Sequence, residues 1–208
     1  HLADAWATWA ITWVGGTHVI ARTFNPPDIL KLMIHHEVTI TNMIPTMLNM
    51  LINEPEACRH RYPSLRALLS GGAPIAPDVV RRIMDTFKCD YVQTYGMTET
   101  SPYLTFSLLK NHLKQLPFSR QFVYKARTGR PAMAVDLKVV DDAGKEIPHD
   151  GVAVGEIIVR GDTVTSGYWK RPDATAEAIR DGWLYTGDCA TVDEEGYVNI
   201  VDRKKDII

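Results

Sequence analysis

The stretch ALLSGGAPIAPDVVRRIMDTFKCDYVQTYGMTET, residues 67–100, decides the fold class. It starts with a short apolar run and a Gly-Gly pair, and it continues with apolar residues at helical spacing between Val79 and Phe87. A second apolar run ends at Thr94. This order predicts a βαβ unit with both loops at one edge of a parallel sheet. That edge is where open α/β sheets bind ligands.

The loop after the second predicted strand, Tyr95–Thr100, carries groups suited to a phosphorylated ligand. Glu99 offers carboxylate oxygens of the kind that Mg²⁺ prefers, and Thr98 offers a hydroxyl donor for a phosphate. Gly96 lets a ligand approach the backbone closely. An ordinary turn is the alternative interpretation of this hexapeptide.

The loop after the first predicted strand is Ser70–Pro74. Its glycine pair, Gly71 and Gly72, can present backbone groups to a flat base with no side chain in the way. A tight turn without a ligand is again the alternative.

A third candidate is a hairpin near the end of the chain. Its predicted strands and its three-residue loop are Cys189–Asp193, Glu194–Gly196 and Tyr197–Val201. Pairing Asp193 with Tyr197 and counting outward places Asp188 opposite Asp202, one step from Arg203. A carboxylate can accept both hydroxyls of a ribose diol, and a guanidinium adds a donor. The competing interpretation is a surface salt bridge that closes the hairpin.

Several segments of the chain resemble, in family order, motifs of the adenylate-forming (AMP-binding) superfamily of acyl-CoA synthetases, luciferases and peptide-synthetase adenylation domains. These segments are Ser70–Pro74, Tyr95–Thr100, Ser166–Trp169 with Pro172 and Thr175, Gly182–Asp188, and Asp202–Ile208. Within the superfamily, Met97 resembles the acyl-CoA synthetase (fatty-acid–CoA ligase) branch, because peptide-synthetase domains usually carry proline there.

The resemblance implies an ATP-dependent carboxylic acid–CoA ligase that works through an acyl-adenylate. Its cofactors and co-substrates would be ATP, Mg²⁺ and coenzyme A, and its other partner would be a small-molecule carboxylic acid, expected to be a fatty or other aliphatic acid. Two alternatives stay open: a nucleotide-binding or scaffold piece without turnover, and an adenylation domain that serves a carrier protein.

The resemblance also assigns roles to residues. Thr98 and Glu99 are implied to be catalytic, with Glu99 as the metal ligand. The residues implied to bind the nucleotide are Gly71, Gly72, Ala73, Pro74, Tyr95, Gly96, Met97, Thr98, Asp188 and Arg203. The residues implied to border the acid are His1, Gly71, Gly96 and Met97. For His1, a terminal residue without a role is the alternative. Lys205 is implied to be a hinge.

Other parts of the superfamily pattern are not found in these 208 residues. The phosphate loop ending in Pro-Lys is expected upstream of His1, and a C-terminal domain with the adenylating lysine is expected after Ile208. The chain is therefore interpreted as a partial, inactive piece of the large N-terminal domain that ends at the hinge.

The order of helical and strand patterns along the chain predicts an α/β fold: a parallel sheet covered by helices, followed by a small antiparallel β-barrel-like subdomain. The predicted boundaries are 1–127 for the α/β subdomain, 128–201 for the β-rich subdomain and 202–208 for the hinge. Within 101–127, the basic residues are predicted to form a solvated face, with a CoA contact as the alternative: Lys110, Lys114, Arg120, Lys125 and Arg127. At the start, Trp6, Trp9 and Trp13 are predicted to pack in the core, and Thr17–Ala21 to form a strand.

Composition limits the partners. A net charge of −2 provides no field for nucleic acid or an anionic membrane, and no segment is long and apolar enough to span a bilayer. Three widely spaced cysteines, with no metal-binding spacing, favour a reducing compartment, and a cytoplasmic location is expected. The oligomeric state stays open, with a homodimer as one option.

Overall fold

The computed structural model describes the backbone of residues 2–204 and the side chains of residues 7–204. His1 and Lys205, two of the predicted functional residues, lie outside the described residues. No helix among the described residues combines the length and the apolar character needed to cross a membrane.

The chain divides into two compact units. The first unit comprises residues 1–94 and 107–126, and the second comprises residues 95–106 and 127–208. The subdomain boundaries predicted at 127 and 201 stay predictions.

The first unit is a parallel sheet with helices. Its elements are α1 (Leu2–Trp13), α2 (Pro26–His35), β1 (Ile40–Asn42), α3 (Pro45–Asn53), β2 (Ala67–Ser70), α4 (Pro77–Phe87), β3 (Asp90–Gly96, whose last two residues belong to the second unit) and α5 (Phe118–Ala126), with short 3-10 helices at Ala57–Arg59 and Leu113–Gln115. Strand β2 pairs in parallel with β1 on one side and with β3 on the other. The predicted βαβ unit is therefore confirmed.

Helix α4 shows why this segment folds as predicted. Pro77 occupies the first turn, where its missing N–H removes no helical hydrogen bond. Val80, Ile83 and Phe87 recur at helical spacing and are buried in the core of the first unit. Lys88 ends the helix in the left-handed conformation, and the chain then enters β3.

The second unit contains an antiparallel sheet and, outside that sheet, a separate pair of antiparallel strands. Its elements are a 3-10 helix at Thr98–Thr100, β4 (Tyr103–Phe106), β5 (Arg130–Pro131), β6 (Val135–Val140), β7 (Gly155–Gly161), α6 (Pro172–Ala178), β8 (Ile179–Arg180), β9 (Trp183–Val192) and β10 (Val198–Arg203). The main sheet has the strand order β10-β9-β7-β6, and β8 pairs with β9. The predicted fold class, a parallel sheet with helices followed by an antiparallel subdomain, is confirmed.

Two predictions about the start of the chain are wrong. Residues Thr17–Ala21 form an exposed segment without strand pairing, because a β-rich run becomes a strand only where a neighbouring strand supplies backbone partners. Trp9 and Trp13 are exposed in α1 rather than packed in a core. The side chain of Trp6 lies outside the described residues.

The prediction that Lys125 is solvated is also wrong. Its side chain is only 7% exposed, forms an ion pair with Asp90 at the start of β3, and donates to the Tyr91 carbonyl at 3.2 Å. A buried ammonium needs such partners, and spacing along the sequence could not reveal a carboxylate 35 positions away. A cavity of about 420 Å³ beside this pair lies near the amino end of β3, whereas the predicted ligand loops follow the carboxyl ends of β2 and β3.

Candidate functional site

The Ser70–Pro74 loop packs against the end of β3 within the first unit. Gln93 Nε2 donates a hydrogen bond to the Ala73 carbonyl at 2.9 Å. A Cβ atom on Gly71 would lie 2.5 Å from Thr94 Oγ1 and 2.8 Å from the Thr94 carbonyl oxygen. Because any other side chain would collide there, the loop can lie this close to the strand only with glycine.

The outer part of the same loop is open to solvent. Gly72 has φ +82°, which favours glycine, and Gly72, Ala73 and Pro74 are all exposed. The loop therefore presents backbone and small side chains beyond the carboxyl end of β2. Its contact with a base stays a prediction.

In the second unit, Tyr95 and Asp188 come together across 93 positions of the chain. Tyr95 Oη donates to Asp188 Oδ2 at 2.7 Å, and Arg203 Nε lies 3.7 Å from Asp188 Oδ1. Burial, followed by the neighbouring Asp188 carboxylate, raises the pKa of the Tyr95 hydroxyl well above its ordinary value. Tyr95 is therefore a neutral donor, and the carboxylate keeps free lone pairs for further donors.

The hairpin that carries Asp188 forms with the predicted loop. Gly196 has φ +76°, and the Asp193 amide donates to the Tyr197 carbonyl at 3.1 Å, so the predicted pairing next to the loop is confirmed. Strand β9 starts at Trp183, earlier than the predicted start at Cys189.

At the open end of the hairpin, the predicted register is wrong by one residue. The register shifts between Ile200 and Asp202, which leaves Val201 as an extra residue in β10. As a result, Arg203 rather than Asp202 lies opposite Asp188. This β-bulge places the guanidinium directly across from the carboxylate.

The Glu99 side chain is oriented by a residue that sequence reasoning did not assign. Tyr168 Oη donates to Glu99 Oε1 at 2.9 Å, and the Thr165 amide donates to the Glu99 carbonyl at 2.7 Å. Partial burial, followed by the bond to Glu99, raises the pKa of the Tyr168 hydroxyl. The neighbouring Thr98 is exposed.

A single carboxylate of this kind fits Mg²⁺, which proteins usually hold through one or two carboxylates together with the phosphates of a substrate. No group of three or more metal-ligating His, Cys, Asp or Glu side chains occurs in the described part of the chain. Glu99 and Asp188 bond to different tyrosines within the second unit, and their action on one ligand stays a prediction.

The chain itself needs a glycine at position 96. A Cβ atom on Gly96 would lie 1.7 Å from the carbonyl oxygen of Pro102, which also accepts a bond from the Met97 amide at 3.0 Å. Thr100 Oγ1 donates to the same carbonyl at 2.6 Å. The turn therefore closes on its own backbone, and the predicted approach of a ligand to Gly96 stays a prediction.

The segment around Tyr168 is held against α6. A Cβ atom on Gly167 would lie 2.9 Å from Thr175 Oγ1, and the Tyr168 amide donates to the same oxygen at 2.9 Å. The resemblance of this segment to a family motif was the available signal. It could not identify Glu99, 69 positions away, as the partner of Tyr168.

Comparison with known proteins identifies the relatives of this chain. A family model described as AMP-binding enzyme matches residues 1–169. A long-chain-fatty-acid–CoA ligase from Thermus thermophilus is 37% identical over an alignment of 208 positions, which covers 99% of this chain and 38% of the relative. A feruloyl-CoA synthase from an Amycolatopsis species is 38% identical over 194 residues, 93% of this chain and 37% of the relative.

Solved structures agree with these relatives. The structure of O-succinylbenzoate coenzyme A synthetase from Bacillus subtilis in complex with AMP has a TM-score of 0.84 and 28% sequence identity to this chain. The match covers 100% of this chain and 40% of that protein. The chain thus spans about two-fifths of the length of the proteins it matches.

Proposed function

Because the chain belongs to the AMP-binding enzyme family, we propose that the whole protein is an ATP-dependent carboxylic acid–coenzyme A ligase. In its first step a carboxylate oxygen of the acid bonds to the α-phosphorus of ATP, and the bond from that phosphorus to pyrophosphate breaks. In its second step the thiol sulfur of coenzyme A bonds to the acyl carbon. AMP then leaves, and the thiol proton is released.

The observation that carries this proposal is the 2.7 Å bond between Tyr95 and Asp188, because it joins the two predicted nucleotide segments of the second unit. In the proposed complex Asp188 accepts the two hydroxyls of the ribose, since its carboxylate has room for more donors than Tyr95 alone. Arg203, directly opposite, adds a donor toward the sugar or the phosphate.

Glu99 and Thr98 are proposed to act on the phosphates. Bound Mg²⁺ would supply positive charge to the phosphate oxygens. Glu99 would ligate the ion, and Tyr168 keeps its carboxylate in one orientation. The exposed Thr98 hydroxyl would donate to a phosphate oxygen as negative charge develops there.

The thiol acceptor is proposed to be coenzyme A rather than a carrier protein, because both curated relatives are named for coenzyme A products. Gly96 and Met97 are proposed to border the acid, which we expect to be aliphatic. Assays of the whole enzyme with a panel of carboxylic acids, and with coenzyme A or a phosphopantetheinylated carrier protein as acceptor, test both points. The three free cysteines support a reducing compartment such as the cytoplasm.

The deciding experiment is Asp188→Ala in the whole enzyme, with pyrophosphate release as the readout. We expect the KM for ATP to rise about tenfold or more, because the ribose would lose a charged acceptor worth about 1.5–3 kcal/mol. Asp162→Ala, which removes an exposed carboxylate of the same unit, is the matched control and should leave the KM unchanged. An unchanged ATP dependence in Asp188→Ala would reject the role of Asp188 and, with it, the proposed nucleotide site.

A further inference from the structure

Lys204, directly after strand β10, forms two ion pairs whose partners differ in burial. Its Nζ donates to Asp142 Oδ1 at 2.9 Å and to Glu156 Oε2 at 3.0 Å. The Asp142 side chain is 93% exposed, whereas the Glu156 side chain is only 11% exposed. The bond to Glu156 is thus the one that solvent screens least.

Glu156 also bonds to the backbone of Gly187, the residue that precedes Asp188. Its second oxygen, Oε1, accepts a hydrogen bond from the Gly187 amide at 3.1 Å. The Gly187 carbonyl in turn accepts a bond from the Lys204 backbone amide at 2.8 Å. Lys204 therefore contacts Gly187 directly through its backbone amide and indirectly through the Glu156 carboxylate, which bonds to both residues.

These bonds are needed because the β7–β9 ladder is irregular at this point. Glu156 pairs with Cys189 and Ile158 pairs with Tyr185, so residues 186–188 of β9 face a single residue of β7. Such a bulge lacks regular ladder bonds, and Gly187 adopts φ +75° within it. The Glu156 carboxylate supplies the acceptor that a regular strand would have supplied.

We propose that Glu156 and Lys204 are positioning residues for Asp188: together they fix the Gly187 peptide and so set the direction in which the Asp188 carboxylate faces the nucleotide. This inference rests on the proposed role of Asp188 in ribose binding. The alternative to positioning is a surface salt bridge that contributes only to stability. The pKa of Lys204 is raised to about 12 by its hydrogen bonds to Asp142 and then Glu156, so the ammonium stays charged over the working range of the enzyme.

The test uses the whole enzyme with Lys204→Met, Glu156→Gln and the double variant. We expect each single variant to raise the KM for ATP and the Kd for AMP about three- to tenfold while kcat changes less than twofold. The double variant should bind ATP and AMP no more weakly than the weaker-binding single variant, because both residues act through Gly187. Asp136→Asn, which breaks the exposed β6–β7 pair with Arg160, is the matched control and should change neither constant.

Two results would overturn the positioning role. One is an unchanged KM for ATP in Lys204→Met, whose half-exposed side chain leaves folding intact even if Glu156→Gln does not fold. The other is a loss of thermal stability with no separation of KM from kcat. If Asp188→Ala raises the KM while these variants do not, positioning fails and the proposed function stands. If Asp188→Ala has no effect, the proposed function itself has failed.

Discussion

Two tyrosines, Tyr95 and Tyr168, donate hydrogen bonds to the two carboxylates that the sequence singled out, Asp188 and Glu99. In each pair burial is the main cause of a raised phenol pKa. Each phenol therefore stays neutral and keeps its proton for the carboxylate. Removing the hydroxyl alone tests this orientation, because it leaves every charge in place.

Tyr168→Phe in the whole enzyme should weaken the apparent affinity for Mg²⁺ about three- to tenfold, because Glu99 loses the donor that orients Oε1. The KM for ATP at saturating Mg²⁺ should change little. Mg²⁺ titrations of pyrophosphate release measure both constants.

Tyr185→Phe is the matched control, since its ring keeps its contact with Arg180 when the hydroxyl is removed. Equal Mg²⁺ dependence of the Tyr168→Phe variant and the unmodified enzyme would show that Tyr168 does not orient Glu99 for its proposed role as metal ligand.

At the scale of elements, helix α6 and the loop before it act as one support for Glu99. Gly167→Ala should push the loop away from α6, because the added Cβ atom would lie 2.6 Å from Thr175 Cγ2 and 2.9 Å from Thr175 Oγ1. The φ of +151° at this position also disfavours alanine. We expect a loss of about 1–3 kcal/mol in the free energy of unfolding, measured by denaturant titration, and a weaker Mg²⁺ affinity like that of Tyr168→Phe.

Gly144→Ala provides the comparison. Gly144 also has a positive φ, +77°, but a Cβ atom there would meet nothing within 4 Å. Gly144→Ala should lower the free energy of unfolding only by the backbone strain at this position and leave the Mg²⁺ affinity unchanged. If Gly144→Ala lowers the Mg²⁺ affinity as much as Gly167→Ala does, contact with α6 is not the cause.

Elements with a local signal were predictable. Helix α4 starts at Pro77 as the sequence indicates, and β6 occupies the predicted 135–140. The hairpin loop was also predictable because Gly196 fixes its conformation. The strand register beyond this loop was not predictable, because no residue type near Val201 indicates a β-bulge.

Partners that lie far apart in the chain were the other limit. The sequence predicts Lys125 to be solvated because its partner, Asp90, lies far away along the chain. In the same way, nothing in the sequence indicates that Tyr168 bonds to Glu99. Thr17–Ala21 has the composition of a strand, but no neighbouring strand pairs with it among the described residues. Motifs therefore predicted candidate groups for the chemistry, whereas tertiary packing determines the hydrogen-bond partners of those groups.

At the scale of the whole molecule, buried thiols and phenols determine how stability responds to alkali. Burial, followed by the charge of Asp90, raises the pKa of Cys89 from 9.0 to about 12. Burial, followed by Cys58, raises that of Tyr62 from 10.0 to about 12. Well below pH 9 both groups are protonated in the folded and unfolded chains. As the pH rises through 9, the unfolded chain releases the Cys89 proton while the folded chain keeps it, so stability falls.

Cys89→Ala should remove this part of the loss. The free energy of unfolding should fall about 1 kcal/mol less between pH 8 and 10 in the variant than in the unmodified protein. Urea titrations at the two pH values give the difference. Cys58→Ala, at an exposed thiol, is the control: it removes only the smaller cause of the raised pKa of Tyr62, so its stability should fall nearly as much as that of the unmodified protein. Parallel curves for the unmodified protein and Cys89→Ala would contradict the assignment.

The second unit contains Tyr95, Asp188 and Arg203 together, so we expect the 208-residue chain to bind AMP whether or not it catalyses the reaction. A ligand that binds only the folded state stabilises it by RT ln(1 + [L]/Kd), which is about 1.4 kcal/mol when AMP is present at about ten times its Kd. The unfolding midpoint of the 208-residue chain should therefore rise steadily with AMP concentration. Inorganic phosphate at equal concentration should shift it less, because it lacks the ribose diol that Asp188 is proposed to hold. Equal shifts by AMP in the unmodified chain and in Asp188→Ala would place the nucleotide elsewhere on the molecule.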